Sequence, residues 1–131
     1  VYLDADTQVY QSIDAGFRVL EDGFDLAIAP SQNQGDRLLW HVGAADKEAT
    51  LNALKFDPLQ LQAGVVFVSR NSRTRSLWDC WRAEWERFRD QDQGALLRAL
   101  YQFPVKVWLL GHPYQGGSIV GHHWGSVRRG I

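Results

Sequence analysis

Two short segments near opposite ends of the chain carry side chains that suit one another chemically. At one end, Asp4 and Asp6 stand two apart, directly after the apolar run Val1-Tyr2-Leu3. Carboxylates so placed can converge on one hard cation, and oxygen donors suit Mg²⁺ or Mn²⁺. The end of an apolar strand is also where open α/β sheets receive their ligands. At the other end, the stretch from Val120 through Gly121, His122, His123, Trp124, Gly125, Ser126 and Val127 to Arg128 and Arg129 combines imidazoles with guanidinium groups. A neutral imidazole can complete an Asp-Asp-His site, and arginine pairs with diphosphate oxygens. On a strand, His122 and His123 point to opposite faces, so the pair does not converge on one ion.

Each of these residues also has a plainer reading. A second Asp-x-Asp pair, Asp90 and Asp92, shows how readily such spacing arises in an aspartate-rich chain. A single histidine is most often a hydrogen-bonded structural group, and Arg128-Arg129 read alone is a solvated segment. His41 and His112 fall in or beside loops, as surface histidines usually do, and Cys80 reads as a structural thiol.

The elements that must position these groups follow from pattern. Val1-Tyr2-Leu3 reads as the end of a buried strand and Asp4–Thr7 as a turn. Ile13, Phe17 and Leu20 have helical spacing, which predicts a helix over Ser12–Leu20. Asp25–Ala29 reads as a strand ended by Pro30, residues 31–43 as loop, and Ala44–Lys55 as a helix. The clearest strand is Ala63–Ser69, rich in β-branched residues. Asn71-Ser72 can cap a helix whose stripe is Leu77, Trp78, Trp81, Trp85 and Phe88, a spacing that favours core packing over a sugar-binding wall. Asp90 and Gln93 have capping-box spacing for another helix through Tyr101. Val105–Leu110 and Ser118–His122 read as strands around a Gly-rich loop at Gly111–Gly117. Alternating strands and helices over 1–131 predict one α/β layered domain.

Composition bounds the function. The 131 residues carry a net charge of −1, which argues against a generic nucleic-acid binder. Yet ten of the acids and four of the bases lie in residues 1–65, against five and ten in residues 66–131. That asymmetry suits a site joining a cation to an anionic ligand. One Cys excludes a disulfide framework and points to a cytoplasmic setting, and no apolar run is long enough to span a bilayer. A chain without Met reads as a processed product, an excised domain or a fragment.

Four segments, in order, carry a resemblance. Tyr2-Leu3-Asp4-Ala5-Asp6-Thr7 resembles the metal-binding motif of nucleotide-sugar glycosyltransferases of the glycosyltransferase-A fold. Leu61–Val68 is similar to their central Asn-Thr-Gly strand, and Arg89–Leu96 to their Asp-Gln helix start. The spacing of His122, Gly125 and Arg128 is similar to the His-x-x-Gly-x-x-Lys segment of the retaining galactosyl- and glucosyltransferase-like branch. The resemblance implies the C-terminal portion of a Rossmann-like α/β/α domain with a mixed sheet, its nucleotide-binding half lying upstream. It implies Mn²⁺ (or Mg²⁺) held by Asp4, Asp6 and His122, with Asp4 near the donor ribose and Arg128 on the diphosphate. Gly64 and Gly125 would shape the donor site, and Gln62 stands where the family has a sugar-binding Asn. Asp92 and Gln93 would lie by the donor sugar, Gln93 near the anomeric carbon. The implied activity is transfer from a UDP-sugar or similar donor, with retention, to an unspecified acceptor.

Two other classes compete. A non-catalytic binding piece of the same fold would keep the metal ligands without turnover. A haloacid-dehalogenase-like phosphatase shares Asp-x-Asp, but its signature needs Thr or Val where this chain has Gln8, with Thr7 one place early.

Overall fold

A computed structural model of the chain describes residues 1–31, 42–55 and 58–123. It is a mixed α/β domain, with four α-helices among the described residues. In chain order these are β1 (Tyr2–Leu3), β2 (Thr7–Val9), α1 (Asp14–Glu21), β3 (Leu26–Pro30), α2 (Ala44–Leu54), β4 (Leu61–Val68), α3 (Ser72–Glu86), α4 (Asp92–Gln102), β5 (Val107–Leu109) and β6 (Val120–His122). The main sheet has the order β1-β4-β3-β5 and is mixed: β1 and β3 flank β4 antiparallel, whereas β5 runs parallel to β3.

Burial on both faces explains why β3 is apolar without alternation. Leu26 and Ile28 join the core beneath α2 and α4 with Val66, Leu96 and Leu97. Ala27 and Ala29 face the opposite side, where Val65, Phe67 and Val120 pack with Ile13 and Leu20. Two apolar layers therefore sandwich one sheet.

Local chemistry places the helix starts. Asn71 caps α3 reciprocally: its side chain accepts from the Thr74 amide at 2.9 Å, and the Asn71 amide donates to the Thr74 hydroxyl at 3.2 Å. At α4 the expected Asp90–Gln93 capping box does not form. The N-cap is Gln91, without a side-chain cap, and the Asp90 carboxylate instead accepts from the Gly43 amide ahead of α2. A tertiary donor has displaced the local one. The short β2 was also unforeseen, because Thr7–Val9 is mostly exposed and lacks an apolar pattern.

Asp25 ties three elements together just before β3. Its carboxylate accepts from Arg73 Nη2 at 2.7 Å, Asn71 Nδ2 at 2.8 Å and the Lys106 amide at 3.0 Å. The hydrogen-bonded Arg73 guanidinium, helped by the Lys106 and Asn71 donors against the cost of burial, lowers its pKa to about 2 from an ordinary 3.8. A folded-state pKa below the unfolded one stabilises the protein above pH 3.8, and that contribution is lost as pH falls through 2. In urea titrations wild type should therefore exceed Asp25→Asn in stability at pH 7, with the gap closing between pH 4 and 2. A gap that does not change with pH would refute this assignment.

Candidate metal centre

The two ends of the chain meet through β2. After β1, the Thr7 amide and hydroxyl both donate to the Asp4 carbonyl, at 3.1 and 2.7 Å, closing a tight turn over Asp4-Ala5-Asp6-Thr7. The chain then enters β2, which pairs antiparallel with β6 so that Thr7 stands opposite His122. The His123 amide donates to the Asp6 carbonyl at 2.8 Å and extends the ladder to the turn. The expected turn is thus real, but its partner strand had to come from the far end of the chain.

This pairing gathers Asp4, Asp6 and His122, with one ligand atom from each lying within 4.8 Å of the others. His122 Nε2 is 3.0 Å from Asp6 Oδ1 and 3.9 Å from Asp4 Oδ2. The imidazole is buried, while the two carboxylates are partly open to solvent. Oxygen, oxygen and nitrogen donors with an open side fit a divalent ion that keeps positions for ligand oxygens, and carboxylates favour Mn²⁺ or Mg²⁺. His123 lies outside the cluster, as strand alternation predicts.

Three further residues hold the cluster in place. Gln115, itself buried, sits with Nε2 3.1 Å from His122 Nδ1 and fixes the ring's orientation from behind. The Gly-rich loop over Gly111–Gly117 is thus what carries Gln115 to the histidine. Tyr2 donates its hydroxyl to Asp4 Oδ1 at 2.7 Å. That bond comes first among the effects that push the phenol up to about 12, ahead of burial and the nearby carboxylate charges.

Gly64 is the third. Where β3 pairs with β4 the register shifts, Ile28 pairing with Val66 but Ala29 with Gln62, so Ala63, Gly64 and Val65 are passed over on that side. Such irregularities re-aim a strand beside functional sites. A Cβ on Gly64 would stand 2.6 Å from His122 Cε1 and 3.1 Å from Asp4 Oδ2. Only a hydrogen leaves room for the cluster.

The remaining expected site residues divide. Gln93, buried at the start of α4, donates Nε2 to Gln62 Oε1 at 3.3 Å, so these two meet. Asp92 lies at the exposed start of α4. Desolvation by its neighbours, and then the charge of Asp4, raise its carboxyl pKa. Gly125 and Arg128 lie outside the described residues, as do His41, Trp124, Arg129 and Gly130. Cys80 is half-buried, and burial with the nearby Glu84 pushes its thiol up, the direction opposite to that of a reactive cysteine. No helix among the described residues is long and apolar enough to cross a membrane.

Comparison of the chain with protein-family models, with curated proteins and with solved structures finds no match.

Proposed function

We propose that this chain carries the metal-binding and donor-sugar side of a glycosyltransferase that moves a sugar from a nucleotide-diphospho-sugar, most simply a UDP-sugar, to an acceptor. The observation that carries the reading is the convergence of Asp4, Asp6 and His122 from opposite ends of the chain onto one partly open site. Two aspartates and a histidine are an apt donor set for Mn²⁺, with Mg²⁺ the second choice.

A bound divalent ion would supply positive charge where the departing nucleoside diphosphate becomes more negative. The chain's own residues do the rest. Asp4 and Asp6, partly open to solvent, would hold the ion together with the buried His122, which Gln115 braces. The joined amides of Gln62 and Gln93 offer both donors and acceptors to sugar hydroxyls. Asp92, exposed at the start of α4, offers oxygens that can accept from sugar hydroxyls. Transfer with retention of configuration follows from the resemblance of the motifs to the retaining branch.

Mn²⁺ should raise the thermal midpoint of the protein, because an ion that binds only the folded state stabilises it by about 2.7 kcal/mol at a hundred times its Kd. Asp4→Ala should abolish that shift and remove Mn²⁺ binding read by the loss of the free-ion paramagnetic resonance signal. Adding a UDP-sugar should raise the midpoint further only while the metal site is intact. An equal Mn²⁺ shift in Asp4→Ala would overturn the assignment.

A further inference from the structure

Beside the metal cluster lies a second concavity with a different character. Tyr2, Trp78, Trp81, Arg82, Trp85 and Asp92 line a cleft of about 210 Å³. Helical spacing on α3 predicted that its tryptophans would be core. The structure splits the stripe: Leu77 is fully buried, Trp81 and Trp85 are half-buried, and Trp78 is 41% exposed. A large aromatic side chain held in water beside a cleft calls for an explanation that an isolated exposed residue does not.

The walls are fixed before any ligand arrives. Trp81 Nε1 donates to the Asp92 carbonyl at 3.3 Å and Trp85 Nε1 to the Asp90 carbonyl at 3.1 Å. Their indole N–H groups are thereby committed to the protein, and ring surface is what they offer. Trp78 and Trp81 meet edge to face with centroids 5.1 Å apart, so their planes form a corner. Each ring face is electron-rich and attracts the weakly positive hydrogens of C–H bonds. The same cleft is lined by residues of the opposite kind, the charged Asp92 and Arg82 and the polar-tipped Tyr2.

We propose that this cleft is a saccharide subsite that takes a free pyranoside, so that the acceptor of the transfer reaction is itself a carbohydrate. A pyranose has C–H faces for the indoles and a rim of hydroxyls for the charged groups. The volume falls below the range of roughly 300–1,000 Å³ common for drug-sized ligands, in keeping with one ring. Neighbouring hydroxyls can donate together to one carboxylate. Uracil, whose edge is mostly carbonyl oxygen, gains less from Asp92. Tyr2 links the cleft to the metal site, since its hydroxyl bonds Asp4 while its side chain lines the wall. The role as acceptor site rests on the glycosyltransferase reading; the binding of a pyranoside does not.

The test is ligand-observed saturation-transfer NMR on the whole chain in EDTA, with methyl glucosides, galactosides and mannosides of both anomeric forms, and with uridine as a separate arm. At least one methyl pyranoside should bind saturably without metal. Trp78→Ala should weaken it by about tenfold or more, and Trp78→Phe should restore most of the binding. Trp78 is exposed, so both variants should keep the wild-type circular dichroism. Absence of saturable binding by every pyranoside overturns the proposal. So does binding that Trp78→Ala leaves unchanged, or a response confined to uridine. Pyranoside binding in EDTA alongside a failed Mn²⁺ titration would uphold the cleft while removing the metal assignment, so the two readings fail separately.

Discussion

Gly64→Ala is expected to weaken Mn²⁺ binding by a factor of ten or more, about 1.4 kcal/mol, without unfolding the protein. The backbone there is not in the left-handed region, so alanine meets no conformational strain. At such a position alanine ordinarily stabilises by about 0.4–1 kcal/mol through the unfolded chain. Here the added methyl would lie 2.6 Å from His122 Cε1. The imidazole has little freedom to withdraw, since it is buried, with Gln115 on its Nδ1 side and Asp6 on its Nε2 side. The ring must tilt, and its Nε2 then leaves the position shared with the two carboxylates. Calorimetric Mn²⁺ titration and thermal melts of the metal-free protein check both halves. If alanine raises the metal-free midpoint and leaves Mn²⁺ affinity intact, the cluster is not the close assembly described here.

Arg98→Met is expected to cost about 3–5 kcal/mol, the usual consequence of leaving a buried partner charge alone, and to lower Tm by roughly 10–20 °C. Arg98 is 1% exposed yet charged. Its guanidinium pairs with Asp46 on α2, donates to the Thr50 hydroxyl at 2.6 Å and reaches Glu84 Oε2 on α3 at 2.7 Å. It also lies 5.1 Å from the Phe88 ring centroid. One side chain of α4 thus holds three helices together over the sheet. Close approach makes this possible: a Cβ on Gly94 would come within 2.6 Å of Asp46 Oδ1. Glu84 keeps Arg87 and Gln102 as partners in the variant, whereas Asp46 loses its cation. Adding Asp46→Leu to Arg98→Met should therefore recover much of the loss, because an apolar pair can replace a buried ionic one. A single-variant cost below about 1 kcal/mol in urea unfolding would contradict this account.

Much of the architecture is legible in local pattern. Leu26–Ala29 and the β-branched run of β4 read as buried strands because their composition suits burial on both faces. The Asn71 cap of α3 is equally local, its two hydrogen bonds spanning only three residues. The failed capping box at Asp90 shows the limit: the spacing was right, but an amide beyond the helix, on Gly43, took the carboxylate. The stripe on α3 fails for a related reason. Periodicity finds an apolar face but not whether another element covers all of it, and Trp78 is left outside. Arg98 carries no local signal of burial, because a charged residue on a helix reads as solvated until its partners on other helices are known.

The candidate metal centre divides along the same line. The residue types, Asp4 and Asp6 after an apolar strand and His122 within another, are properties of the chain, and they set which ions the site can attract. Their meeting is a property of the fold. It depends on β2 pairing with β6, on the Gln115 side chain behind the imidazole and on the missing Cβ at Gly64. Spacing and propensity act over a few residues, so the sequence by itself determined the helices, the strands other than β2 and the donor atoms. Which of those atoms come within reach of one another was decided by pairing between the two ends of the chain, which is a tertiary event.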